Sequence, residues 1–112
     1  MAFSKTQEFT SELQELSALF KVLSHPARLQ ILIELAQKKE CVCGEIVELL
    51  PLSQSTVSQH LKELKTAGLI KGEINGTSSC YCINWDKIEI LEDSAKTLFN
   101  QLNALKINTK CC

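Results

Sequence analysis

The chain has 112 residues, of which 45% are apolar and 22% charged, with a formal net charge of −1 and six cysteines. Those proportions are ordinary for one soluble globular domain, and no apolar run approaches the roughly 20 residues of a membrane span. The opening residues "MAFSKTQEFTSE" lack a basic start followed by an apolar core, so no secretory signal and no membrane partner are expected, and the chain is assigned to the cytoplasm.

In chain order, Phe9, Leu13, Leu16, Phe20 and Leu23 recur every three or four residues and predict an amphipathic helix over about 7–23. In "LSHPARLQILIELAQ", Ser24 can cap a second helix and Pro26 suits its first turn. Leu29, Ile31, Leu32, Ile33, Leu35 and Ala36 make that helix apolar nearly all round, which predicts a buried centre. A third helix is expected from Val42 to Leu50, with Ile46, Leu49 and Leu50 inward and Pro51 as its stop. Ser53 is the expected N-cap of a fourth, in which Val57, Leu61 and Leu64 share a face and which Gly68 ends. Ile70, Gly72 and Ile74 then alternate before Asn75-Gly76, the signal of a tight hairpin turn, with a returning strand at about Thr77–Ile83. From Trp85 a last helix carries Ile88, Leu91, Ala95, Leu98, Leu102 and Leu105 at heptad spacing, a seam suited to a partner. A domain this small buries only about two-thirds of its unfolded surface. Pairing the first and last helices with those of a second subunit is therefore the simplest way to cover both seams.

The expected fold is mainly α with a small β-hairpin: a single winged helix-turn-helix domain, dimerising through its N- and C-terminal helices. The helix-turn-helix occupies about 42–67, the wing about 69–83, and the dimer helices about 7–23 and 85–106. On the fourth helix Gln54, Ser55, Ser58, Gln59 and Lys62 form one polar stripe opposite Val57, Leu61 and Leu64, bordered by Thr56 and His60. Short hydrogen-bonding side chains with a lysine, at the N-terminal half of such a helix, suit base edges and phosphates of double-stranded DNA. A solvated face would favour Glu and Lys, yet no acid precedes Glu63 here. Residues 53–72 carry Lys62, Lys65 and Lys71 against Glu63, a small basic segment in an acidic whole. For His60 the plainer role is a hydrogen bond on the helix flank rather than metal ligation.

The segments "LSHPARLQILIELAQ", "CVCGEIVELL" and "LSQSTVSQHLKELKTAGLI", with the Asn-Gly wing, resemble the ArsR/SmtB family of bacterial metal-responsive repressors, from about Leu16 to Ile83. The resemblance implies a homodimeric winged helix-turn-helix repressor that binds operator DNA without a cofactor and leaves it when a metal or metalloid inducer binds. Family members often carry an arginine and aromatics after the wing turn, where this chain has Thr77, Ser78, Ser79 and Cys80. Contact of the wing with the minor groove is accordingly less expected here.

Cys41 and Cys43 resemble the family's "CVC" metal motif. Thiols are kept reduced in the cytoplasm, and thiolates at a helix N-terminus are favoured by its dipole. Soft ions prefer sulfur, As(III) and Sb(III) first here, with Cd(II), Pb(II) and Cu(I) also of that class. In the arsenic repressors a third cysteine follows three residues after the second, where this chain has Ile46. The third thiol is therefore sought at Cys111 or Cys112, since relatives recruit tail cysteines, with Cys80 and Cys82 as the other pair; a strand's period of two puts those on one face. The family's site on the last helix uses His with Asp or Glu. Asp86, Glu89, Glu92 and Asp93 are present there without a His, which argues against zinc or nickel. The rival readings are a Cd(II)- or Pb(II)-type sensor, a thiol redox sensor of the same fold and, further off, a metal-buffering protein without DNA binding. An oxidoreductase would want Cys-x-x-Cys in a βαβ frame, so no enzyme is expected.

Overall fold

The computed structural model describes residues 8–38, 42–43, 50–75 and 78–106. It contains helices α1 (Ser11–Leu23), α2 (Pro26–Gln37), α3 (Gln54–Thr66) and α4 (Trp85–Leu105), and strands β1 (Val42–Cys43), β2 (Ile70–Asn75) and β3 (Ser78–Ile83). The strands form one antiparallel sheet in the order β1-β3-β2.

Thr10 caps α1 by accepting the Leu13 N–H at 3.3 Å. At the other end Ser24 donates its hydroxyl to the Lys21 carbonyl at 2.6 Å, so it closes α1 rather than opening α2 as the sequence suggested. His25 takes the N-cap of α2 instead, its Nδ1 accepting the Ala27 N–H at 3.1 Å, with Pro26 in the first turn as expected. The prediction of an all-round buried α2 holds for one face only. Ile31 and Leu35 are buried, whereas Leu29 and Ile33 are 46% and 52% exposed.

The expectation of a helix starting at Val42 is corrected. Val42 and Cys43 are strand, paired with Tyr81 and Cys80 of β3. A run this short is ambiguous between helix and strand until a partner strand supplies its hydrogen bonds. Residues 44–49, including Ile46, lie outside the described residues, as does Cys41.

α3 begins as predicted, with Ser53 Oγ accepting the Thr56 N–H at 3.3 Å. It ends in a Schellman motif: the Gly68 N–H bonds the Lys65 carbonyl at 2.9 Å and the Leu69 N–H bonds the Leu64 carbonyl at 3.0 Å. Gly68 has φ +80°, which an L-residue adopts only under strain. The motif folds Leu69 back onto Leu64, and both are fully buried. Asn75 pairs with Ser78 and so belongs to the strand rather than to the turn; residues 76–77 lie outside the described residues.

The core gathers Leu16 and Leu19 of α1, Ile31 and Leu35 of α2, Val57, Leu61 and Leu64 of α3, Ile70 and Ile83 of the sheet, and Leu91 of α4. Each such side chain stabilises the fold by about 1.5–3 kcal/mol of transfer free energy. Asn84 ties α4 to the corner after α3: its side-chain amide donates to the Gly68 carbonyl at 2.8 Å and its N–H to the Leu69 carbonyl at 3.0 Å. The α4 seam is split. Leu91 is buried and Ile88, Ala95 and Leu98 pack on the core, but Leu102 and Leu105 stay 53% and 68% exposed. Phe9, Leu13 and Phe20, at the start of and along α1, are likewise exposed.

Candidate functional site

Val57, Leu61 and Leu64 anchor α3, and this fixes which residues face outward. Gln54, Ser55, Thr56, Ser58, Gln59 and Lys62 are all exposed. The first turn of α3 carries no acid, so its unpaired N–H groups present an uncompensated positive end. Three of the row are engaged locally: the Ser55 and Thr56 hydroxyls are 3.3 Å and 2.9 Å from Ser53 Oγ, and Gln59 Nε2 donates to Glu63 Oε1 at 3.1 Å. Gln54, Ser58 and Lys62 complete the exposed row.

His60 does not join this row. It is the buried polar side chain of the described core, 7% exposed. Its Nδ1 accepts from Arg28 Nε at 3.1 Å, while Arg28 Nη1 donates to the Val22 carbonyl at 3.1 Å. The His25 ring lies 4.3 Å from the His60 ring, tilted by 55°. Burial, followed by the His25 and Arg28 charges, lowers the His60 pKa, with Glu63 opposing. A neutral His60 is also what the geometry needs, because Nδ1 must be free to accept. One guanidinium thus ties the end of α1, the start of α2 and the inner side of α3 together, seating the exposed row. Sequence reasoning missed Arg28. Its partner lies 32 residues downstream, and an arginine in a first helical turn has no local signature.

Of the thiols, β1 places Cys43 as the Cα partner of Cys80, and Cys80 is disulfide-bonded. That departs from the expectation of thiols kept reduced. Cys82 follows two residues along β3, half-buried like Cys80. Cys111 and Cys112 lie outside the described residues. Among the described residues no three His, Cys, Asp or Glu side chains are already gathered to hold an ion. A groove of about 440 Å³ runs between α1 and α4, lined by Leu13, Leu16, Leu98, hydroxyls and Glu12. No described helix is long and apolar enough to cross a membrane.

Comparison with known proteins gives a consistent picture. Residues 25–71 match the family described as bacterial regulatory protein, arsR family. An arsenical resistance operon repressor of Bacillus subtilis is 37% identical over 95 residues, which span 83% of this chain and 86% of that protein. A second protein of that description, from Staphylococcus xylosus, is 35% identical over 81 residues, or 72% of this chain and 77% of its own length. Among solved structures, HlyU from Vibrio cholerae superimposes with a TM-score of 0.63 at 29% identity, covering 84% of this chain and 97% of that one. The capped polar helix followed by a hairpin wing is the winged-helix arrangement of these regulators. The chain belongs to the ArsR family, and it is a transcriptional regulator rather than an enzyme.

Proposed function

We propose that the protein is an operator-binding repressor that acts in the cytoplasm as a homodimer and releases DNA when a thiophilic ion binds. As(III) or Sb(III) is the favoured inducer, Cd(II) or Pb(II) the alternative, and the ligands are Cys41 and Cys43 with one further thiol. The observation that carries the DNA-binding part is the exposed Gln54, Ser55, Ser58, Gln59 and Lys62 row on a capped helix with no acid in its first turn. Polar side chains there can reach base edges in the major groove while Lys62 and the helix terminus meet phosphates. The exposed Leu13, Phe20, Phe99, Leu102 and Leu105 along α1 and α4 support pairing with a second copy, since burial of such residues drives association.

The inducer part draws on the names of the Bacillus and Staphylococcus relatives, which are arsenical resistance repressors, and on the affinity of soft ions for thiolate. A redox-sensing repressor is the second reading, and the disulfide at Cys80 is the observation in its favour. The test is binding to a twofold-symmetric duplex selected from random sequence. Affinity should fall steeply with salt, as phosphate contact requires. Binding that ignores salt, or no binding at all, rules the repressor out and leaves a metal-buffering protein. Release by peroxide, without any response to As(III), selects the redox sensor.

A further inference from the structure

Cys43 and the pair Cys80 and Cys82 lie on neighbouring strands. β1 runs antiparallel to β3 with Val42 opposite Tyr81 and Cys43 opposite Cys80. Directly opposed residues of such a pair share a sheet face with Cβ atoms about 4.5–5.5 Å apart. Along β3, alternation puts Cys80 and Cys82 on one face and Tyr81 and Ile83 on the other.

The second face is the inner one. Ile83 is buried and pairs with buried Ile70, and Tyr81 packs on the core. The Tyr81 ring closes over its partner Gly72 so tightly that a Cβ at Gly72 would stand 2.9 Å from Tyr81 Cε1. Tyr81 is thereby fixed inward, and the cysteines on either side of it are fixed to the opposite face. Lys71, the partner of Cys82, is exposed. Independently of the register, Cys80 is disulfide-bonded, so another sulfur stands within covalent reach of it. Sulfurs that close, once reduced, can share one ion.

We infer that the wing completes the ion site: Cys80, opposite Cys43, supplies the thiolate that Ile46 does not, and Cys82 stands on the same face as a further sulfur for a four-coordinate ion. This rests on the reading of Cys41 and Cys43 as ligands, and it makes Cys111 and Cys112 dispensable. With arsenous acid, three As–O bonds are exchanged for three As–S bonds. The three thiol protons leave with the three hydroxides as water, and no electron is transferred. The ion then clamps β3, the second strand of the wing, to the strand that precedes the DNA-reading helix.

The test uses the full chain reduced with a phosphine. X-ray absorption of its As(III) complex should count three sulfurs, both in the wild type and in Cys111→Ser/Cys112→Ser. In Cys80→Ser the count should drop to two. As(III) affinity should then fall at least ~10-fold, because even groups one step removed from a metal cost that much. Cys82→Ser should leave As(III) binding intact and lower the sulfur count of the Cd(II) complex. In the unsubstituted chain, As(III) should slow amide exchange at Ser78–Ile83, a readout that holds even if Cys80→Ser fails to fold. Three sulfurs retained in Cys80→Ser, loss of the third in the tail variant, or unchanged exchange in β3 overturns the inference. Full As(III) binding by Cys41→Ser/Cys43→Ser overturns the underlying ligand reading instead. Loss in that variant with Cys80→Ser silent overturns only the role of the wing.

Discussion

Replacing Arg28 by alanine should destabilise the protein by about 2–4 kcal/mol. Arg28 donates to His60 Nδ1 and to the Val22 carbonyl, each at 3.1 Å. His60 is buried, so losing its donor strands an acceptor at about 1–3 kcal/mol, and the half-buried Val22 carbonyl loses a bond worth about 0.5–1.5 kcal/mol net. At roughly 4 °C per kcal/mol for a chain of this size, Tm should fall by about 8–16 °C. The assay is thermal and urea unfolding by circular dichroism at one fixed protein concentration, since association shifts apparent stability. Arg28→Lys should recover little, because an ammonium cannot fork to both acceptors.

The pH dependence provides an internal control. The folded state holds His60 below the ordinary histidine value of 6.5, so the unfolded chain binds more protons in acid. Above 6.5 both states are neutral at this site and it contributes nothing. As pH falls from there toward the lowered value, stability is lost. Removing Arg28 removes one cause of the lowering, so the variant should lose less. Its deficit relative to wild type should narrow between about pH 7.5 and about pH 5.5. A deficit under ~0.5 kcal/mol, or one that widens in acid, would refute the seating role given to Arg28.

Three further substitutions test the elements around that seat. Ser53→Ala removes the α3 cap and should cost about 1 kcal/mol in urea unfolding. Gly68→Ala places a side chain at φ +80° and should cost about 1–2 kcal/mol, all of it backbone strain. The nearest atoms to the new Cβ, in Lys87, are at an ordinary 3.8 Å, so a substantially larger loss in calorimetry would mean that the local packing has been misjudged. Lys62→Ala should weaken binding to every duplex alike and reduce the slope of affinity against salt by about 1, whereas Gln54→Ala should act on some sequences and not others.

Much of the fold could be read from local patterns. Both terminal helices, the α3 cap, the Gly68 terminus and the two wing strands each carry their own signal: apolar spacing, a serine, a glycine, alternation. The misreadings share a different origin. Val42 and Cys43 looked like the start of a helix because the run is short and apolar, and only β3, nearly forty positions away, makes them a strand. That change moved Cys43 from a helix mouth to a ladder position opposite Cys80. His60 was placed at the edge of the exposed row because polarity alone cannot say that an arginine 32 residues upstream will satisfy it in the core. His25 takes the cap expected of Ser24 because two adjacent helices compete for one junction. The exposed row on α3 was legible because burial of Val57, Leu61 and Leu64 fixes the helix rotation.

The central claim is that ion binding at the thiols and DNA binding on α3 oppose each other. It is tested most directly by fluorescence anisotropy of the reduced protein on its selected operator duplex, titrated with As(III), in wild type and in Cys41→Ser/Cys43→Ser. Wild-type affinity should fall about 5–150-fold, the range of typical coupling free energies, with the variant bound to DNA equally well and unresponsive. Equal release in both proteins, or no release in either, would contradict the account.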